Sequence, residues 1–304
     1  MDAAELARIV GTLLAFVGIG WLLRTTGILT AEDARPIHAV IVYVGLPALI
    51  FQAIHPARLE PALAAVVMVA WTVFAVTAAV AWVCARLLRL PRPVAGGFIL
   101  ASSLGNTGYI GYPVATAFLG EEGLVRAIFY DVFGTVGALL VAGLFIAARF
   151  GGHPGRGASP LREALRFPAV VALVVALLAR PVAIPETVSA GLDALASLVV
   201  PLIMLSVGLM FEVKKVANRP AALGALTVIR LGFAPAVAVL AGGVALGEAE
   251  AMRLVVLQAG MPAMMLSIVI GGRFGLDTEF LASAVVLTTA LSIITIPLMQ
   301  LIVG

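Results

Sequence analysis

Stretches of about twenty apolar residues follow one another along almost the whole chain, divided only by short runs of Pro, Gly or charge. A helix needs roughly 20 such residues to cross the hydrocarbon of a bilayer. Ten stretches qualify: 5–23, 36–54, 61–87, 94–119, 123–148, 164–181, 186–211, 219–246, 250–273 and 278–303. The expected fold is therefore an all-α polytopic membrane protein with ten transmembrane helices. Of the 304 residues, 62% are hydrophobic and 12% charged. A soluble domain is nearer half apolar and a quarter charged, so a water-soluble globular enzyme is excluded. The net charge of +3 is no nucleic-acid footprint. Cys84 alone makes no disulfide framework, and three His offer no metal cluster.

The first stretch follows Met1-Asp2-Ala3-Ala4-Glu5, which lacks a basic leader and a small-residue cleavage site. It reads as a retained helix rather than a signal peptide. Thirteen of the 19 Lys and Arg residues fall on one side of the ten-span arrangement, among them Arg86, Arg89, Arg92, Arg149, Lys214 and Lys215. Five fall on the other, and Arg230 lies inside a span. The positive-inside rule puts the richer side in the cytoplasm and both termini outside, in the cell's inner (plasma) membrane. The longest polar connection, about 150–165, is then cytoplasmic. It divides the chain into a first five-helix repeat, 1–150, a linker, 151–163, and a second repeat, 164–304.

The two halves share the spacing of their breaks. Tyr43-Val44-Gly45-Leu46-Pro47 lines up with Ser197-Leu198-Val199-Val200-Pro201 at an offset of 154, and Ala117-Phe118-Leu119-Gly120 lines up with Arg273-Phe274-Gly275 at 155 or 156. Because five is odd, the second half must enter the membrane upside down relative to the first. That is the inverted-repeat plan of many secondary transporters.

The fourth and ninth stretches are interrupted at matching positions, Asn106-Thr107 and Met261-Pro262, which lie 155 apart. Gly105, Gly108, Gly111 and Pro113 crowd the first break, and Gly260 and Pro262 the second. Freed backbone groups in mid-membrane need partners that lipid does not supply, so such breaks survive only inside protein or beside a watery cavity. Paired breaks point to a transporter's binding site, and half-helix N-termini there favour an anion such as a carboxylate. The blander reading is that the glycines only let helices pack closely.

The run Gly105-Asn106-Thr107-Gly108-Tyr109-Ile110-Gly111-Tyr112-Pro113 resembles the first crossover of the auxin efflux carrier family, which includes plant PIN-like proteins and bacterial organic-anion carriers. Leu257 to Pro262, on through Phe274-Gly275 and Leu287-Thr288-Thr289, is similar to its second crossover and last helix. Pro201 to Leu209 and Val228 to Leu231 resemble its seventh and eighth helices. The resemblance implies the bile-acid-symporter-like fold, with a scaffold of spans 1, 2, 6 and 7 and a transport domain of spans 3–5 and 8–10. It also implies elevator-type movement of a small organic anion and a homodimer. Gly105 stands where plant members carry Pro and His38 where many carry Asn, and the long plant loop is absent.

The expected substrate-binding residues are Gly105, Asn106, Thr107, Gly108, Tyr109, Gly260, Met261, Pro262 and Ala263. The substrate would be a mono- or dicarboxylate such as malonate or an auxin-like acid. Asp131 and Arg230 fall at mid-depth of their spans, where ionisable groups are costly. They form either a buried pair fixing the helices or a coupling device. His38 and Gln258 are further coupling candidates. Proton or sodium coupling is open, no cofactor or metal is expected, and a sodium-coupled symporter of the bile-acid type is the nearest alternative. A remote one is an intramembrane aspartyl protease using Asp131 and Asp193. The chain has no Gly-x-Ser-x-Gly and no Walker motif.

Overall fold

A computed structural model describes residues 3–152, 167–210 and 219–303. Most of the expected linker 151–163, together with Lys214 and Lys215, lies outside the described residues. Within them every regular element is helical, and β-pairing is confined to one antiparallel bridge between Gly105 and Ala263.

The chain opens with α1 (Ala3–Thr25). Next come α2 (Ala34–Val40) and α3 (Leu46–Ile54), joined by a π-helical turn at Ile41–Gly45. Then follow α4 (Ala62–Leu87), α5 (Arg92–Ser103) and α6 (Gly111–Phe129). From α6 the helix continues through π-helical segments Tyr130–Val136 and Leu139–Gly143 into α7 (Leu144–Phe150). The second half holds α8 (Pro168–Ala179), α9 (Glu186–Ser197) and α10 (Val199–Met210). A fourth π-helical segment, Ile229–Phe233, links α11 (Pro220–Val228) to α12 (Ala234–Ala245). The chain closes with α13 (Ala249–Ala259), α14 (Leu266–Phe274) and α15 (Thr278–Val303).

Among the described residues six helical stretches are long and apolar enough to cross a membrane: Ala31–Ile54, Ala62–Leu87, Gly111–Phe150, Glu186–Met210, Pro220–Ala245 and Thr278–Ile302. Gly11–Thr25 and Pro168–Ala179 are apolar but shorter. The fourth and ninth stretches read from the sequence fail on length for a physical reason: each is two short helices, α5 with the start of α6, and α13 with α14.

Two matched glycines, 155 residues apart, close these half-helices with backbone that other residues resist. Gly120 has φ 64° and ψ −156°, a region essentially reserved for glycine, and kinks α6. Gly275 has φ 78° and ψ 32°, the left-handed cap that ends α14.

Two compact units emerge. The first gathers residues 3–59, 116–125 and 167–210 of the described chain. Inside it α1 lies against α10 at van der Waals limits. A Cβ on Gly20 would collide with the Leu205 carbonyl, and one on Gly208 with the Val17 carbonyl. Small residues let membrane helices approach this closely. Arg24 Nη1 donates to Leu209 O at 2.9 Å, and Gln52 Nε2 donates to Ser189 O at 3.1 Å and to Asp193. Because the colliding atoms are backbone, Gly208→Val is expected to destabilise this unit by about 1–3 kcal/mol through overpacking. Gly18→Ala, which faces open space, should leave the unfolding midpoint in detergent unchanged. Equal midpoints for the two variants would refute the close contact.

The second unit holds residues 60–115, 126–152 and 219–303. Its core is built from α4, α5, the π-helical segments that follow α6 and α11, and α11 to α15. Leu100, Ala101, Ile128, Leu226, Leu254, Leu257 and Phe280 are all fully buried there. Trp71 Nε1 donates to Phe133 O at 3.0 Å, pinning α4 to the segment that carries Asp131.

Candidate functional site

Both helix breaks lie in the second unit, and the chain meets itself there. The extended residues after α5 pair with those after α13: Asn106 N donates to Pro262 O at 2.7 Å, and Met264 N donates to Leu104 O at 3.0 Å. These two bonds flank the Gly105–Ala263 bridge and satisfy backbone groups that unwinding would otherwise strand in a nonpolar interior. Pro262 suits its place, since its carbonyl is used and it has no N–H to leave unpaired. Past the bridge, Asn106 O accepts from Ile110 N at 3.2 Å and Gly111 N at 3.1 Å, so the turn 107–110 winds directly into α6.

A carboxylate of the chain's own stands at this N-terminal end of α6. Thr107 Oγ1 donates to Asp131 Oδ1 at 2.5 Å, and Tyr112 Oη donates to Asp131 Oδ2 at 2.8 Å. Gly108 is there because a Cβ would lie 2.9 Å from Asp131 Oδ2. The other break has a neutral counterpart: Ala263 N donates to Thr288 Oγ1 at 3.0 Å, and Thr288 Oγ1 donates to Ala284 O at 2.7 Å. The anion-attracting ends of the half-helices are thus unequal. One already faces a carboxyl group and the other only a hydroxyl.

Arg230 deals with the opposite ends. Its Nη2 donates to Ala259 O, the last residue of α13, and its Nη1 lies 3.5 Å from Ser102 O in the last turn of α5. Its guanidinium passes so close to Gly105 that a Cβ there would touch it at 3.5 Å. A helix C-terminus carries about half a negative charge, so one guanidinium balances two such ends. Among the described residues no ion pair joins Asp131 to Arg230; each has separate partners. Both sit on π-helical segments, Tyr130–Val136 and Ile229–Phe233, a geometry that frequently marks functional sites.

Gln258, fully buried on the last turn of α13, donates through Nε2 to Thr107 O at 3.3 Å. Gly111 leaves it room, because a Cβ there would strike Gln258 Oε1. Four buried polar atoms at the crossing lack a protein partner: Ser102 Oγ, Asn106 Nδ2, Arg230 Nε and Gln258 Oε1. Such groups each cost about 1–3 kcal/mol unless something else satisfies them. A cavity of about 10 Å³ beside Gly105, Thr107, Thr135, Arg230 and Gln258 is about the size of one water.

All nine residues read from the sequence as substrate-binding gather around this bridge, and Asp131, Arg230 and Gln258 join them. Asn106, Thr107, Met261 and Ala263 are buried, whereas Gly108 and Tyr109 are half-buried and form the open edge. His38 is not among them: it belongs to the first unit, where its Nε2 lies 2.9 Å from Ser206 Oγ. Asp193 likewise belongs to the first unit, where it bonds Gln52, whereas Asp131 belongs to the second and bonds Thr107 and Tyr112. Arg126 is bridged to Glu248 at 3.0 Å and Glu250 at 3.4 Å on the surface. Sequence reasoning missed the parts of Tyr112 and Thr288. Tyr112 lies one helical turn past Gly108, and Thr288 lies 157 residues after Asp131, close to the offset between the two breaks.

The chain matches the sequence profile of the membrane transport protein family over residues 8–151 and 157–300. It is 29% identical over 294 residues to an uncharacterized transporter of Methanothermobacter thermautotrophicus, covering 96% of both chains. An uncharacterized transporter of Methanocaldococcus jannaschii is 30% identical over 296 residues, covering 94% of this chain and 95% of the relative. A Rhizobium meliloti protein provisionally named a malonate transporter is 26% identical over 311 residues, with 96% of this chain and 94% of that one aligned.

Proposed function

The chain belongs to the membrane transport protein family, the auxin-efflux-carrier-like group its crossovers resemble, and from that premise we propose that it is a secondary carrier of small organic anions. The substrate is a mono- or dicarboxylate bound where the two broken helices cross. The relative named for malonate supports that class. The observation that carries the reading is the bridge between Gly105 and Ala263, with unpartnered polar atoms beside it and the positive end of α14 facing only Thr288. Since Asp131 already occupies the α6 end, the substrate carboxylate goes to the α14 end, near Ala263 to Ser267.

The same proposal includes ten spans in two inverted five-helix halves, 1–150 and 164–304. It is supported by the paired breaks and by Gly120 and Gly275, both with positive φ. The partition into units supports assigning spans 1, 2, 6 and 7 to a scaffold and the rest to a transport domain that moves as an elevator. A homodimer in the plasma membrane with both termini outside completes the reading.

Proton coupling is preferred to sodium coupling, because Arg230 already holds carbonyl oxygens that a sodium ion would need. A thermal-shift screen of the purified protein against carboxylates, with and without sodium, tests this. A ligand at 100 times its Kd adds about 2.7 kcal/mol to native-state stability. Malonate or a similar acid should raise the melting temperature by several degrees, equally in sodium and in choline. Stabilisation by carboxylates only when sodium is present would transfer the assignment to the sodium-coupled alternative. No stabilisation by any carboxylate would remove the anion reading.

A further inference from the structure

A crevice of about 790 Å³ opens on the surface of the second unit where the ends of α4, α5 and α7 converge. Its mouth carries Arg86, Arg89, Arg92 and Arg149, all exposed, and its walls include Trp82 and Phe145, also exposed. Among the described residues none of these arginines has a carboxylate within ion-pair distance. We propose that this crevice binds one anionic phospholipid, its phosphate held by the arginines and an acyl chain lying along Trp82 and Phe145.

Contacts within the unit fix the arginines at the crevice. Arg86 lies over the Trp82 ring at 4.3 Å, which fixes it at the crevice wall. Arg92 Nη2 donates to Arg149 O at 2.7 Å, holding the α7 end against the α5 start. Arg89 is the one non-glycine residue with positive φ among those described, at 49°. It stands just past the end of α4, and the next amide, Leu90 N, donates back to Ala85 O at 3.0 Å. Glycine is the residue that normally fills this left-handed position, because a Cβ costs about 1 kcal/mol there. A cation there complements the negative end of α4 and leaves its guanidinium exposed at the crevice mouth.

The position at the end of a membrane-crossing helix selects the occupant. Guanidinium groups match phosphate oxygens bidentately, and basic pockets between spans take anionic headgroups.

The test uses the full chain in detergent with dioleoylphosphatidylglycerol, dioleoylphosphatidylcholine or inorganic phosphate, read by native mass spectrometry and melting temperature. Phosphatidylglycerol should be retained by the protein and raise its melting temperature, and phosphatidylcholine should do neither. Arg89→Gly relieves the turn, so it should melt no lower than wild type in phosphatidylcholine while binding phosphatidylglycerol about five-fold more weakly. Adding Arg149→Gln should cost a further factor of about five, and Arg149→Lys should restore most of it. Equal retention of both lipids overturns the proposal. So does a gain reproduced by inorganic phosphate alone, or a lipid-induced shift to dimers that Arg89→Gly leaves intact.

Discussion

Arg230→Met is expected to be the most damaging single substitution in the second unit. It leaves the Ala259 and Ser102 carbonyls, at the ends of α13 and α5, facing each other across a buried interior without a donor. Each stranded acceptor costs about 1–3 kcal/mol, so the pair costs about 2–6 kcal/mol, a large part of the 5–15 kcal/mol typical of a folded domain. The electrostatic side points the same way. Two helix C-termini carry about half a negative charge each, and the guanidinium cancels them. Arg230→Lys keeps the charge but reaches one carbonyl at a time, so it should recover part of the stability. The measurement is the unfolding midpoint and the yield of monodisperse protein in detergent. If Arg230→Met is as stable as wild type, then the guanidinium does not cap these helices.

The sequence carried much of this architecture, and the parts it hid are instructive. Breaks at Asn106-Thr107 and Met261-Pro262 were legible because Gly and Pro cannot be ignored in a lipid-spanning run, and the backbone does unwind there. The identity of the partners across the breaks was not legible. Nothing in a periodic apolar helix says that Tyr112 will turn its hydroxyl onto Asp131, because that depends on which face of α6 meets the neighbouring segment. The π-helical segments that carry Asp131 and Arg230 were equally hidden, since one inserted residue in a helical turn leaves no compositional mark. A buried Asp and a buried Arg invited pairing with each other, yet each instead answers helix ends. His38 looked like a titratable group in a span, but hydrogen-bonding to Ser206 gives it a local structural partner.

Asp131→Asn is expected to abolish the dependence of transport on pH while leaving the protein folded. The argument is a charge count at the crossing. The N-terminal ends of α6 and α14 together contribute about one positive charge, which Asp131 balances when it is ionised; Arg230 balances the C-terminal ends of α5 and α13. The site is therefore near neutrality before any substrate arrives. A monoanion added to it leaves an uncompensated charge in mid-membrane, which is expensive, unless a proton arrives as well. Asp131 is placed to take that proton, because its partners are the hydroxyls of Thr107 and Tyr112, which can turn from donating to accepting. Thr107 is itself in the turn that leads from the bridge into α6, so a change at Asp131 is felt at the crossing. In proteoliposomes, wild-type carboxylate uptake should rise as the entry side is acidified, by up to tenfold per pH unit for one proton per cycle. The Asn variant mimics the protonated side chain in shape and charge, and its uptake should be the same at every pH and unable to follow a proton gradient. Thr107→Val should keep a pH dependence but move its midpoint, since it removes one of the two hydroxyls that donate to Asp131 and leaves the carboxylate in place. A pH profile in Asp131→Asn that runs parallel to wild type would show that the proton, if one is carried, binds elsewhere.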